Sequence, residues 1–124
     1  MRIDRLKEYF EKCKSMEGNL EGCNCTVKYE DDLGCEEKHI VAGMGLFIDG
    51  AGQIKDFKLS MNRGSVYICA FLVFLGETLV GLKAARVKSD KVMGRLKRFF
   101  GVEKDDAIEV KATEYMLSKL ISAP

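Results

Sequence analysis

A chain of 124 residues, 47% hydrophobic and 31% charged, is sized and composed for one folded domain, 1–124, and excludes a disordered or collagen-like polymer. Its formal net charge of +1 excludes the strong overall field of a dedicated nucleic-acid binder. Five cysteines, an odd count, leave at least one thiol without a partner in the chain.

The N-terminal MRIDRLKEYFEK alternates charged and apolar residues and lacks the apolar stretch of a secretion signal, so a cytoplasmic location with reduced thiols is expected. Residues 2–17 place Ile3, Leu6, Tyr9, Phe10, Cys13 and Met16 at helical spacing, and Gly18-Asn19 supplies a stop. CNCTVKYE, residues 23–30, alternates as a half-buried strand with Cys23, Cys25, Val27 and Tyr29 on one face. After the acidic EDDLG, residues 39–49 (HIVAGMGLFID) are apolar on both faces and predict an interior strand. GAGQ at 50–53 is a glycine-rich hairpin loop, and QIKDFKLSM sets Phe57, Leu59 and Met61 against Asp56, Lys58 and Ser60.

Asn62-Arg63-Gly64 predicts a turn into VYICAFLVF, whose β-branched and aromatic residues point to a buried strand, with Gly76-Glu77 as a break. TLVGLKAARV continues as a fifth strand, its second half open to a helical reading. A transmembrane reading of 64–82 fails on Glu77, which leaves too short a clean apolar run. Ser89 reads as the N-cap of a helix with Val92, Met93, Leu96, Phe99 and Phe100 in one stripe and Gly101 as its stop. The tail 105–121 predicts a third helix with Ile108, Ala112, Tyr115 and Leu120 inward, or a short strand at 108–112. The expected fold is α+β: an N-terminal helix, an antiparallel meander of four or five strands, and one or two C-terminal helices packed on the sheet.

Cys23, Cys25, Cys35 and His39 have the residue types of a tetrahedral zinc site, but C-x-C followed by Cys35-x3-His39 departs from the usual paired knuckles. Strand alternation points Cys23 and Cys25 toward the core, so apolar packing leads there, with metal ligation and thiol–disulfide chemistry as alternatives. His39, the sole histidine, is a structural residue before it is a catalytic one. Gly43 and Gly45 share one face of the interior strand and mark a close approach to its backbone, by a packed helix or by a small ligand in a groove.

The charge is sharply segregated. Lys83, Arg86, Lys88, Lys91, Arg95, Lys97 and Arg98 stand against Asp90 alone, while Glu30, Asp31, Asp32, Glu36 and Glu37 cluster upstream. Lys91, Arg95 and Arg98 fall on one helix face, which suits an acidic protein partner or nucleic acid, with a membrane surface disfavoured. No carboxylate pair, nucleophile elbow or phosphate loop is present, which points away from an enzyme. The leading reading is a non-enzymatic binding or regulatory domain acting through a protein partner or a homodimer. The alternatives are a Cys/His metal or redox module, with zinc as its ion, and a small-ligand-binding sensory domain.

Overall fold

The computed structural model of the chain describes residues 2–16, 18–32, 39–62, 66–103 and 108–122. Its elements are α1 (Ile3–Met16), β1 (Cys25–Asp32), β2 (His39–Ile48), β3 (Ile54–Asn62), α2 (Val66–Leu79), a 3₁₀ turn (Ala84–Arg86), α3 (Ser89–Phe100) and α4 (Ile108–Ser122). The α+β class, the N-terminal helix and the C-terminal helices are as the sequence predicts, but the sheet has three strands.

The strands pair antiparallel in the order β1-β2-β3, so β2 is central. Its register sets Cys25 opposite Leu46, Val27 opposite Met44 and Tyr29 opposite Ala42. Ala42, Met44 and Leu46 are fully buried, which identifies the inner face of the sheet. Thr26 opposite Gly45 and Lys28 opposite Gly43 belong to the outer face, as does Lys58 of β3, which also pairs with Gly45. The tight connection after β2 is held by Asp49, whose Oδ1 accepts from the N–H groups of Ala51 and Gln53, with Gly52 at φ 83°.

The missing fourth strand is α2. Ile68, Cys69, Ala70, Phe71, Leu72, Val73, Leu75, Gly76 and Leu79 are buried around most of its circumference. A helix covered on nearly all sides has no polar stripe, so its 3.6-residue period disappears from the sequence, and aromatic and β-branched residues then imitate a strand. The surviving clue is length: 14 residues, with Gly76-Glu77 as the one candidate break, exceed a usual strand. Gly76 is not a break but an interior helical residue, and its missing Cβ lets the Phe57 ring lie against the helix backbone. The expected fifth strand is the end of α2, a single bridge between Lys83 and Gln53, and the 84–86 turn.

The last two helices follow the sequence with local differences. Lys88 precedes α3 in extended conformation with no side-chain cap, so Ser89 is the first helical residue and not the cap; Gly101 ends the helix in the left-handed region at φ 68°. In α4 the buried residues are Val110, Ala112, Thr113, Met116, Leu117 and Leu120, while Ile108 and Tyr115 are about half exposed. The Thr113 hydroxyl donates to the carbonyl of Glu109, which satisfies the one buried polar side chain among the described residues.

Helix α2 packs on β3 and α4 on β1, while α1 lies across α2. The N-terminal end of α1 is tied to the C-terminal end of α3: Arg2 N–H donates to the Phe100 carbonyl at 2.7 Å and Arg5 Nη1 to that of Phe99 at 2.9 Å. Tyr9, Phe71, Phe74, Phe99 and Phe100 form one aromatic cluster there, with Phe74 and Phe99 stacked at 4.8 Å. No helix among the described residues is long and apolar enough to cross a membrane.

Candidate functional site

The chain between α1 and β1 folds onto the outer face of the sheet. Glu21 N–H donates to Asn19 Oδ1, Gly22 takes φ 88°, and Cys23 N–H closes a turn on the Leu20 carbonyl. Asn24 then enters the sheet edge with both ends of its amide: Nδ2 donates to the Ile48 carbonyl at 2.6 Å and Oδ1 accepts from the Ile48 N–H at 2.9 Å. Lys58 reaches across from β3 and donates to the Glu21 carbonyl at 2.6 Å.

This turn places the two thiols apart. Cys23 precedes β1 and sits over Gly45 beside Thr26, on the outer face; a Cβ on Gly45 would lie 2.6 Å from its sulfur. Cys25, the first residue of β1, lies on the inner face and donates its S–H to the Leu120 carbonyl of α4 at 3.2 Å. The expectation of one shared face fails because alternation begins only where the strand begins. No disulfide joins them, since Cys13, Cys23, Cys25 and Cys69 are all thiols.

Both thiols near the sheet edge are partly exposed, whereas Cys13 and Cys69 are buried, as the core reading of those two requires. Burial pushes the Cys23 thiol above its ordinary pKa, with Lys58 opposing and Asp56 adding to the rise. Burial does the same to Cys25, and the neighbouring Cys23 raises it further. Cys25 also lines a depression of about 470 Å³ with Asn24, Ile48, Asp49, Ala84, Ala85 and Ile121.

Among the described residues the expected ligands are not brought together. The register puts His39 opposite Asp32 and Cys25 opposite Leu46, at the two ends of β1. Seven strand steps separate those positions by roughly 23 Å, far beyond two bonds to one ion. Cys35 lies outside the described residues. Among the described residues no group of three His, Cys, Asp or Glu side chains is placed to hold a metal, so they do not build a closed zinc or iron–sulfur site.

The groove expected over Gly43 and Gly45 is filled by the chain itself. Leu20 Cδ1 covers Gly43 and Cys23 covers Gly45. The glycines admit this turn rather than a helix or a ligand.

The basic residues converge instead. Arg86, Lys88, Lys91, Arg95 and Arg98 line one cleft of about 670 Å³ between the end of α2, the 84–86 turn and α3. The one-face spacing of Lys91, Arg95 and Arg98 is thereby realised, while Lys83 and Lys97 are outside the lining. Sequence reading missed Leu82, a 41% exposed apolar residue in this cleft, because the segment was assigned to a strand. It also missed Asn24, whose signal was its place between two cysteines at a strand start.

No family model and no curated relative matches this sequence. The fold does match solved structures. One is a putative iron–sulfur cluster assembly scaffold protein for the SUF system from the thermophile Fervidobacterium islandicum AW-1. It superposes with a TM-score of 0.68 at 18% identity, over 96% of this chain and 95% of that one, which is a likeness of fold.

Proposed function

We propose that this chain carries a soft metal ion or an iron–sulfur unit as cargo, attached through cysteine thiolate, and does not turn over a small molecule. The observation that carries the reading is the pair of partly exposed thiols, Cys23 and Cys25, at one end of the sheet. They stand on a fold that this chain shares over nearly its full length with a protein described as a putative iron–sulfur cluster assembly scaffold. Thiolates are the ligands that soft ions and iron–sulfur units select.

The described residues offer sulfur on opposite faces of the sheet and close no ligand set, so an ion taken up at Cys23 keeps open positions for thiolates of a donor or acceptor. Open coordination is what a cargo that has to be passed on requires. A carrier of this kind meets other proteins, so the non-enzymatic, protein-binding reading of the sequence is contained in it.

The test is an anaerobic titration of the full chain with cadmium as the soft-ion probe, read by sulfur-to-cadmium charge-transfer absorbance, and with ferrous iron plus sulfide. Saturable uptake is expected, abolished in Cys23→Ser, weakened in Cys25→Ser and unchanged in Cys13→Ser. Equal uptake by wild type and Cys23→Ser, or loss only in Cys35→Ser, would remove the cargo site from this end of the sheet.

A further inference from the structure

The structure assigns a second surface, independent of the thiols: we propose that the cleft between the end of α2, the 84–86 turn and α3 docks an acidic, partly apolar segment of a partner protein. Five cations line it against one carboxylate, Asp90. Among the described residues none of Arg86, Lys88, Lys91, Arg95 and Arg98 has an ion-pair partner, so the positive charge is not consumed inside the fold. A helix face needs no such concentration to stay solvated, and a near-neutral chain that gathers its cations in one concavity focuses its field there.

The shape favours a segment over a small anion. Arg95 and Arg98 also line an adjoining groove of about 640 Å³ with Arg5, Phe74, Glu77 and Phe99, so the two depressions form one track around α3. Leu82, 41% exposed, and the half-buried Val87 supply apolar contact in the track. The chemistry also favours protein over nucleic acid. The Phe99 ring in the track is already stacked on Phe74 and covered by the Arg5 guanidinium at 4.5 Å, which leaves it no face for a base. An extended chain of Glu or Asp with interspersed Leu matches both features: carboxylates for the arginine forks, an aliphatic group for Leu82.

The experiment uses the full chain and a fluorescein-labelled peptide built from Glu and Leu, with a Gln-for-Glu counterpart, a single-stranded oligonucleotide and phosphatidylglycerol vesicles as the other probes. The acidic peptide is expected to bind and to weaken on the order of tenfold as salt rises from about 0.05 to about 0.5 M. Lys91→Glu and Arg95→Glu are each expected to weaken it at least about tenfold, and Leu82→Asp to weaken it as well, with melting curves unchanged for the two exposed cations. Lys111→Glu, on the exposed side of α4, carries the same change in net charge and is expected to leave binding intact. The proposal is overturned if the Gln peptide binds equally, if Lys111→Glu weakens binding as much as Arg95→Glu, or if the oligonucleotide or vesicles bind more tightly through the same residues. Binding by none of the probes at low salt overturns it too.

Discussion

The sulfur of Cys23 lies against Gly45, in the space a Cβ would take there, a contact that covers the Gly45 backbone on the outer face of the sheet and lifts one half of a C-x-C pair away from the other. The close approach of Gly45 and the turn at residues 20–24 are therefore one feature, and each can be tested through the other.

Gly45→Ala would put a Cβ 2.6 Å from the Cys23 sulfur and 2.8 Å from its Cβ. Alanine in a strand ordinarily gains roughly 0.5–1 kcal/mol over glycine, but overpacking costs about 1–3 kcal/mol. The clash wins, and the turn moves out. Thermal melting is expected to show a net loss of about 1–2 kcal/mol, and thiol labelling to show Cys23 reacting faster than in the wild type.

Gly76→Ala sets the same competition inside α2. Helix propensity favours alanine by about 1 kcal/mol, yet the added methyl meets the Phe57 ring along its Cγ–Cδ2–Cε2 edge, and the half-buried ring has to shift to admit it. The variant is expected to lose about 2 kcal/mol, and the Phe57→Ala, Gly76→Ala double variant to lose less than the sum of the two single changes. Additive losses in that cycle would show that Phe57 is not what excludes a side chain at position 76.

Phe100 is fully buried and touches Tyr9, Phe71, Phe74 and Phe99. Phe100→Ala removes the centre of this cluster and is expected to cost about 3–5 kcal/mol in denaturant unfolding. The exposed Lys12–Glu77 pair, at 3.2 Å, joins α1 and α2, two of the three helices that meet in this cluster, and Glu77→Gln is expected to cost less than about 1 kcal/mol.

The thiols set a pH dependence with a defined sign. Burial raises both Cys23 and Cys25, so near neutral pH they hold their protons. Alkylation, and uptake of a soft ion that must displace those protons, are expected to rise with pH through and above the ordinary thiol pKa of about 8.5. For stability the sign is the opposite. The unfolded chain gives up these protons first, so the stabilisation is present below the ordinary thiol pKa and is lost as pH climbs through the raised folded values. Alkaline melting curves should therefore be flatter in the Cys23→Ser, Cys25→Ser double variant; an unchanged slope would show that these thiols do not drive the effect.

Periodicity carried the sequence reading where one side of an element faces water. The stripe Leu6, Cys13 and Met16, the alternation of Phe57 and Leu59 against Asp56 and Lys58, and the spacing Lys91, Arg95, Arg98 all keep a polar side that reports the period. Helix α2 has almost none, and its buried surroundings erased the one signal that separates helix from strand, which turned a three-stranded sheet into an expected four or five. Cys23 and Cys25 failed for a different reason: alternation assigns faces only within a strand, and β1 starts between them.

The sequence by itself determined the α+β class, the helix ends marked by glycine, the central place of β2 and the segregation of basic residues around α3, because each follows from local spacing and backbone chemistry. Only the tertiary structure decided that the 20–24 turn fills the glycine face, that His39 and Cys25 stand at opposite ends of β1, and that five cations share one cleft. Those are relations between segments distant along the chain, set by register and packing, and no local pattern of residues encodes them.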